Sequence, residues 1–164
     1  PNGGTHVVMV ADHSLWKSQA ARVADAGATT GRAVQVMAPL KTEAYCNGIQ
    51  GGSYRFALRV KTPGPVPPAA KLHLRVWPGG NAWTVDQDLP LAGLKPGLWT
   101  DLVIEADVGS DRGNCGVQVT GGWDGLQIDR LEIRELKPWP EMKRLTEQQQ
   151  RPWPAELAPS PTGG

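Results

Sequence analysis

An excess of charge of either sign is the first thing this sequence lacks: 17 Lys and Arg stand against 16 Asp and Glu in 164 residues, a net charge of +1. Binding a phosphate backbone needs a concentrated basic footprint, so nucleic acid is not an expected partner. A run of 18 apolar residues is missing as well, which leaves no candidate for a membrane-spanning helix. Cysteine is nearly absent, and Cys46 and Cys115 form neither a C-x-x-C redox pair nor a four-ligand zinc set. The G-x-S-x-G, H-E-x-x-H, P-loop and dinucleotide signatures are missing too. The three histidines, His6, His13 and His73, have no metal-ligand spacing. No enzyme is expected on these grounds. An initiator Met and a signal-peptide pattern are also lacking. The chain opens at Pro1 and closes on Pro159-Ser160-Pro161-Thr162-Gly163-Gly164, and so reads as a piece of a longer protein that ends in an extended linker.

Glycine and proline are plentiful. There are 20 Gly and 15 Pro, about a fifth of the chain against an average near 12%, while charged residues make up 20%. That mix suits strands joined by many turns better than a helical bundle. From Ser53 to Val60 the apolar Tyr54, Phe56, Leu58 and Val60 alternate with Arg55, Ala57 and Arg59, the period of a half-buried strand. Leu72, Leu74 and Val76 repeat the pattern and set Lys71, His73, Arg75 and Trp77 together on the opposite face. Pro63-Gly64-Pro65-Val66-Pro67-Pro68 between them predicts an exposed loop. Further strands are expected over residues 5–10, 33–37, 83–89, 98–108, 115–119 and 126–136, about eight in all, divided by Gly- and Pro-rich turns. The stretch 14–26 is Ala-rich and reads as a short helix or an irregular crossing, and residues 141–150 as one amphipathic helical segment. In the last strand Leu126 and Ile128 share one parity while Leu131 and Ile133 share the other, which predicts a bulge at Asp129-Arg130. The expected fold is all-β: a two-sheet antiparallel sandwich of the jelly-roll type over residues 1–136, followed by a Pro-rich tail or linker over 137–164.

Four segments carry a family likeness: Gly27-Ala28-Thr29-Thr30-Gly31-Arg32-Ala33-Val34, then 52–60 with its G-x-Y-x-x-x-L-R-V pattern, then Leu72-His73-Leu74-Arg75-Val76, and finally Gly125 to Ile133 with I-D-x-L-x-I. In this order they resemble the galactose-binding-like jelly-roll domains, among them the carbohydrate-binding modules attached to polysaccharide-degrading enzymes. The resemblance covers roughly residues 5–136. It implies a structural calcium ion where the first and last strands meet, with Asp129 as the last-strand ligand. Asp12 is the one acid in Val10-Ala11-Asp12-His13, where many members carry two. The alternative for Asp129 is a cap or ion pair at the bulge. Asp107, Asp111 and Asn114 make a second oxygen-rich turn, but their spacing is not that of an EF-hand loop and an ordinary solvated turn is the better account.

A sugar-binding surface lays an aromatic face on a pyranose and surrounds it with hydrogen-bonding side chains. Seven Trp against two Tyr and one Phe exceed what one small core uses, so some rings should meet solvent or ligand. Trp123, flanked by glycines and followed by Asp124, is the first candidate platform; Trp77, backed by Arg75, is the second. Trp83 shares parity with Val85 and Leu89 and reads as core, and Trp16, Trp99, Trp139 and Trp153 read as packing. Tyr45 and Asn47 flank Cys46, and Arg112 and Asn114 precede Cys115; a bridge between the cysteines would bring these four side chains to one end of the sandwich. Both cysteines border Asn- and Gly-containing loops, which favours the disulfide over two buried thiols, and with it a secreted or extracellular protein.

These readings combine into a non-catalytic carbohydrate-binding module that takes a polysaccharide or oligosaccharide and is appended to a polysaccharide-active catalytic domain. Two alternatives stay open. One is a structural sandwich without a ligand. The other is a small glycan-cleaving enzyme that uses carboxylates from the rows Asp86 and Asp88 or Asp101, Glu105 and Asp107.

Overall fold

In a computed structural model, residues 6–11, 21–37, 45–49, 52–77, 85–108 and 115–138 are described. They form ten strands: β1 (His6–Ala11), β2 (Ala21–Ala24), β3 (Arg32–Gln35), β4 (Tyr45–Ile49), β5 (Gly52–Lys61), β6 (Leu72–Trp77), β7 (Val85–Asp88), β8 (Thr100–Val108), β9 (Cys115–Gly121) and β10 (Gln127–Pro138). One sheet has six strands in the order β2-β3-β10-β5-β8, with β1 also on β10, and the other has four in the order β4-β9-β6-β7. Every pairing is antiparallel. The all-β sandwich expected from the alternation is what forms.

The interior lies between the sheets and follows the period of two. Tyr54, Phe56, Leu58 and Val60 from β5, Leu72, Leu74 and Val76 from β6, and Val117 and Val119 from β9 are all buried. Ile104 is half-buried and packs at the margin of this core. β10 runs the length of the larger sheet. Its register against β5 slips between Ile128 and Arg130, so one extra residue lets Ile128 on one side and Leu131 and Ile133 on the other all reach the same interior. The opposite edge of β10 pairs with β3 at Gln127 and Ile128 and with β1 from Leu131 to Glu135. Asp129 sits where one partner strand gives way to the next.

Two expectations are corrected. The Ala-rich stretch contains a strand at Ala21–Ala24, not a short helix or an irregular crossing, because its ladder with Arg32–Gln35 extends the sheet and outweighs alanine's helix preference. Tyr45, Cys46 and Asn47 lie on a strand paired with β9, not on a loop, and so the strand count rises from about eight to ten. The predicted helical segment at 141–150 and the remainder of the tail beyond residue 138 fall outside the described residues, as do Trp16, Trp83, Trp139 and Trp153.

Gly121 ends β9 at φ +102°, and a Cβ there would strike the Lys71 carbonyl, which already accepts the Gly122 N–H at 2.9 Å. Gly121→Ala is expected to cost about 1–3 kcal/mol in denaturant unfolding. Gly93→Ala, with nothing near the added methyl, should stay within about 0.5 kcal/mol of the parent.

Candidate functional site

The four-stranded sheet buries one face and presents the other outward, and alternation decides what that outer face carries. Since Val117, Val119, Leu72, Leu74, Val76 and Val85 point inward, the positions between them form the outer rows. One row runs Tyr45, Gln118, Arg75, Asp86. The next toward one end runs Asn47, Gly116, Trp77, and on the other side Thr120, His73 and Asp88 are aligned. Trp77, Arg75, Tyr45 and Asn47, which the sequence singled out, therefore occupy adjacent register positions on one sheet face. Strand pairing places them there, whereas the loop argument set Tyr45 and Asn47 at one end of the sandwich. Gln118 and Thr120 belong to the same face and were overlooked, although the V-Q-V-T alternation of β9 carries the signal.

The β6–β7 side of this face is electrostatically knit. His73 is clamped between two carboxylates: Nδ1 lies 2.6 Å from Asp88 Oδ1, and Nε2 contacts Asp86 Oδ1. Arg75 Nε donates to the same Asp86 oxygen at 3.2 Å. Burial alone would push the His73 pKa down, but the hydrogen bonds and charges of Asp86 and Asp88 together outweigh it and raise the value. The hydrogen bond from His73 holds Asp86 below the usual carboxylate range, with Arg75 assisting. In this clamp Asp86 and Asp88 are paired with His73 and Arg75 across β6 and β7. The other acidic row, on β8, has Asp107 accepting from Ser53 Oγ at 2.5 Å.

Trp123 is corrected. Its ring is 7% exposed and belongs to the core, and its Nε1 donates to Thr62 Oγ1 at 3.2 Å. Thr62 is itself fully buried, donates its hydroxyl hydrogen bond to the Gly64 carbonyl at 2.8 Å, and accepts the Gly97 N–H on its carbonyl at 2.9 Å. The flanking glycines serve the turn that folds the ring down over the end of the sandwich; Gly125, at φ +85°, lies against Pro63. Asp124 remains exposed beside a ring that is not available for stacking. Truncating Trp123 to Ala should cost about 3–5 kcal/mol of stability.

The calcium expected at Asp129 meets a different arrangement. The carboxylate is fully buried. It accepts the Thr29 N–H at 3.1 and 3.0 Å on its two oxygens, the Thr29 hydroxyl at 2.7 Å, and Arg59 Nη1 at 2.5 Å. Of the expected partners, Asp12 lies outside the described residues, and among the described residues no group of three or more His, Cys, Asp or Glu is placed to hold a metal ion. A calcium ion takes six to eight oxygen ligands, and a carboxylate already paired with a guanidinium does not fit that role.

Arg112, Asn114 and Asp111 also fall outside the described residues. Cys46 and Cys115 stand on neighbouring strands, Cys46 opposite Val117 and Cys115 opposite Ile49, one diagonal step from direct opposition. Trp99 was read as packing, and it does pack: Arg59 and Lys61 both approach its ring at 5.0 Å from the centroid, and Nε1 lies over Gly27.

No protein-family model matches this chain, and no curated protein matches it. Solved structures do. A family 35 carbohydrate-binding module from Clostridium thermocellum aligns over 80% of this chain and 98% of its own, with a TM-score of 0.53 and 19% identity. A family 6 module from Cellvibrio mixtus lichenase 5A, solved with cellotriose, aligns over 79% and 98%, with a TM-score of 0.53 and 16% identity. An exo-β-1,3-galactanase from Phanerochaete chrysosporium aligns over 76% of this chain but only 29% of its own, with a TM-score of 0.52 and 18% identity. This chain thus spans less than a third of the galactanase. At these identities the shared property is the fold: a β-sandwich of the carbohydrate-binding-module type.

The His73 clamp makes stability depend on pH with a definite sign. Because the folded pKa is raised, its contribution is complete below the unfolded value of about 6.5 and is lost as pH rises through the higher folded value. Asp86, with a lowered pKa, contributes above its unfolded value of about 3.9 and loses that contribution as pH falls through the lower folded value. The melting temperature should therefore fall on the alkaline side of about pH 6.5, and the fall should be flatter in His73→Gln. Parallel profiles for parent and variant would show that the clamp is not coupled to folding.

Proposed function

We propose that this is a non-catalytic carbohydrate-binding domain whose ligand lies across the outer face of the four-stranded sheet. The observation that carries the reading is the clustering of Trp77, Arg75, Gln118, Tyr45 and Asn47 in adjacent register positions on one face, with Leu72, Leu74, Val76, Val117 and Val119 buried on the opposite face of the same sheet. Trp77 and Tyr45 would supply flat apolar surface for pyranose C–H groups, and Asn47, Gln118 and Arg75 the hydrogen bonds that fix hydroxyls. Gly116, between Asn47 and Trp77, adds no side chain to the floor of the row. The sandwich fold shared with family 6 and family 35 modules supports this reading. The galactanase, in which such a sandwich is a minor part of a longer enzyme, supports a neighbouring polysaccharide-active domain.

Retention on a panel of soluble polysaccharides in native gels, followed by calorimetric titration with a retained oligosaccharide, tests the proposal. Trp77→Ala is expected to weaken binding by about 1–3 kcal/mol with little change in melting temperature, and no polysaccharide should be shortened. Retention that survives Trp77→Ala and Gln118→Ala unchanged would place the ligand elsewhere. Product release would return the carboxylate rows to consideration.

The same proposal sets the domain in an oxidising compartment with Cys46 and Cys115, which lie on the paired strands β4 and β9, bridged. Such a bridge closes a loop of about 70 residues, worth roughly 4 kcal/mol in the chain-entropy description. Thiol titration of the unfolded, unreduced protein should find no free thiol. Two titratable thiols would remove the bridge and the case for export.

A further inference from the structure

The pocket at the β10 bulge already holds a positive charge that belongs to the chain. Among the described residues Asp129 is the one charged side chain buried completely, and a buried carboxylate persists only when paired and hydrogen-bonded. Four donated bonds meet that demand: the Thr29 N–H shared by both oxygens, the Thr29 hydroxyl, and Arg59. The guanidinium is fixed from other sides as well. Arg59 Nη1 also donates to the Gly27 carbonyl at 2.9 Å, and its central carbon lies 5.0 Å from the centre of the Trp99 ring. Arg130 donates to Thr29 Oγ1, which leaves the hydroxyl proton to point at Asp129. Two guanidinium groups thus converge on one carboxylate and the threonine that caps it.

A divalent ion bound to Asp129 Oδ2 would lie within contact distance of the Arg59 guanidinium and would meet a cluster already net positive. We infer that Arg59 is the built-in cation of this pocket: it neutralises Asp129 and fastens β5 and the β2–β3 turn to the bulge, so that this part of the fold closes without a divalent metal. The adjoining contact has the same pattern. Lys61, two residues along β5, pairs with Asp25 of the same turn. Asp25 in turn accepts the Gly27 N–H at 2.8 Å, and the hydrogen bond from Lys61 is the leading cause of its lowered pKa. A Cβ at Gly27 would stand 2.8 Å from Trp99 Nε1 and would force the indole to shift. Two cations from one strand, both at the same indole, hold the carboxylates of Asp129 and Asp25.

The test uses the full chain and reads unfolding. The melting temperature of the parent should be the same in chelator and in millimolar calcium chloride. A double-mutant cycle with Arg59→Met and Asp129→Asn should be strongly non-additive, the double variant losing clearly less stability than the two single losses together. Arg59→Lys keeps the charge without the planar fork; it should fold, unfold at lower denaturant than the parent, and remain indifferent to calcium. A parent protein that melts several degrees lower in chelator and recovers with calcium overturns the inference, as does an additive cycle or a lysine variant that calcium stabilises.

Discussion

Everything in the larger sheet depends on β10 pairing with three strands at once. β5 follows it along one edge, while β3 and β1 share the other. A regular strand could not do this and keep its apolar residues inward, because the leucines and isoleucines before and after residue 129 are out of phase. The bulge resolves the conflict and puts an acid at the junction, where no partner among the described residues is in register with it. The Asp129 pairing with Thr29 and Arg59 follows from that placement. It draws the β2–β3 turn onto the sheet, and the turn brings Gly27 and Asp25 against Trp99 and Lys61.

Charge is handled differently on the two sheets. On the larger one, cations from β5 are spent on holding a turn in place, and the indole of Trp99 lies beside them. On the smaller one, His73, Arg75, Asp86 and Asp88 satisfy one another across β6 and β7, so the outer face is polar without being strongly charged. A hydrogen-bonding face whose charges are paired, with aromatic positions in the same rows, suits a hydroxyl-rich ligand better than a polyanion, in keeping with the net charge of +1.

The sandwich, the buried alternation in β5, β6 and β9, and the β10 bulge were all legible in the sequence, because a period of two and its interruption are local properties. The strands at Ala21–Ala24 and Tyr45–Ile49 were not, since short segments of alanine, glycine and polar residues become strands only through the ladders their neighbours provide. Trp123 was misjudged for a related reason. Glycines on both sides describe a turn, but whether the ring turns out or in depends on Thr62, a residue 61 positions away whose hydroxyl receives the indole N–H. Parity in the sequence sets Arg75 and Trp77 on one face, as the register does; Tyr45 and Asn47, grouped in the sequence through the cysteines, share that face by strand register. The cation beside Asp129 was hidden because Arg59 reads, from its own strand alone, as an ordinary outward arginine.

The central claim is that one face of the four-stranded sheet is the binding surface, and backbone amide shifts measured while titrating a retained oligosaccharide test it most directly. The account predicts that the perturbed amides are those of β4, β6 and β9 around Asn47, Arg75, Trp77 and Gln118, with the turns at Thr62, Gly97 and Trp123 unmoved. Perturbations confined to those turns, or to the β2–β3 turn and Trp99, would contradict it.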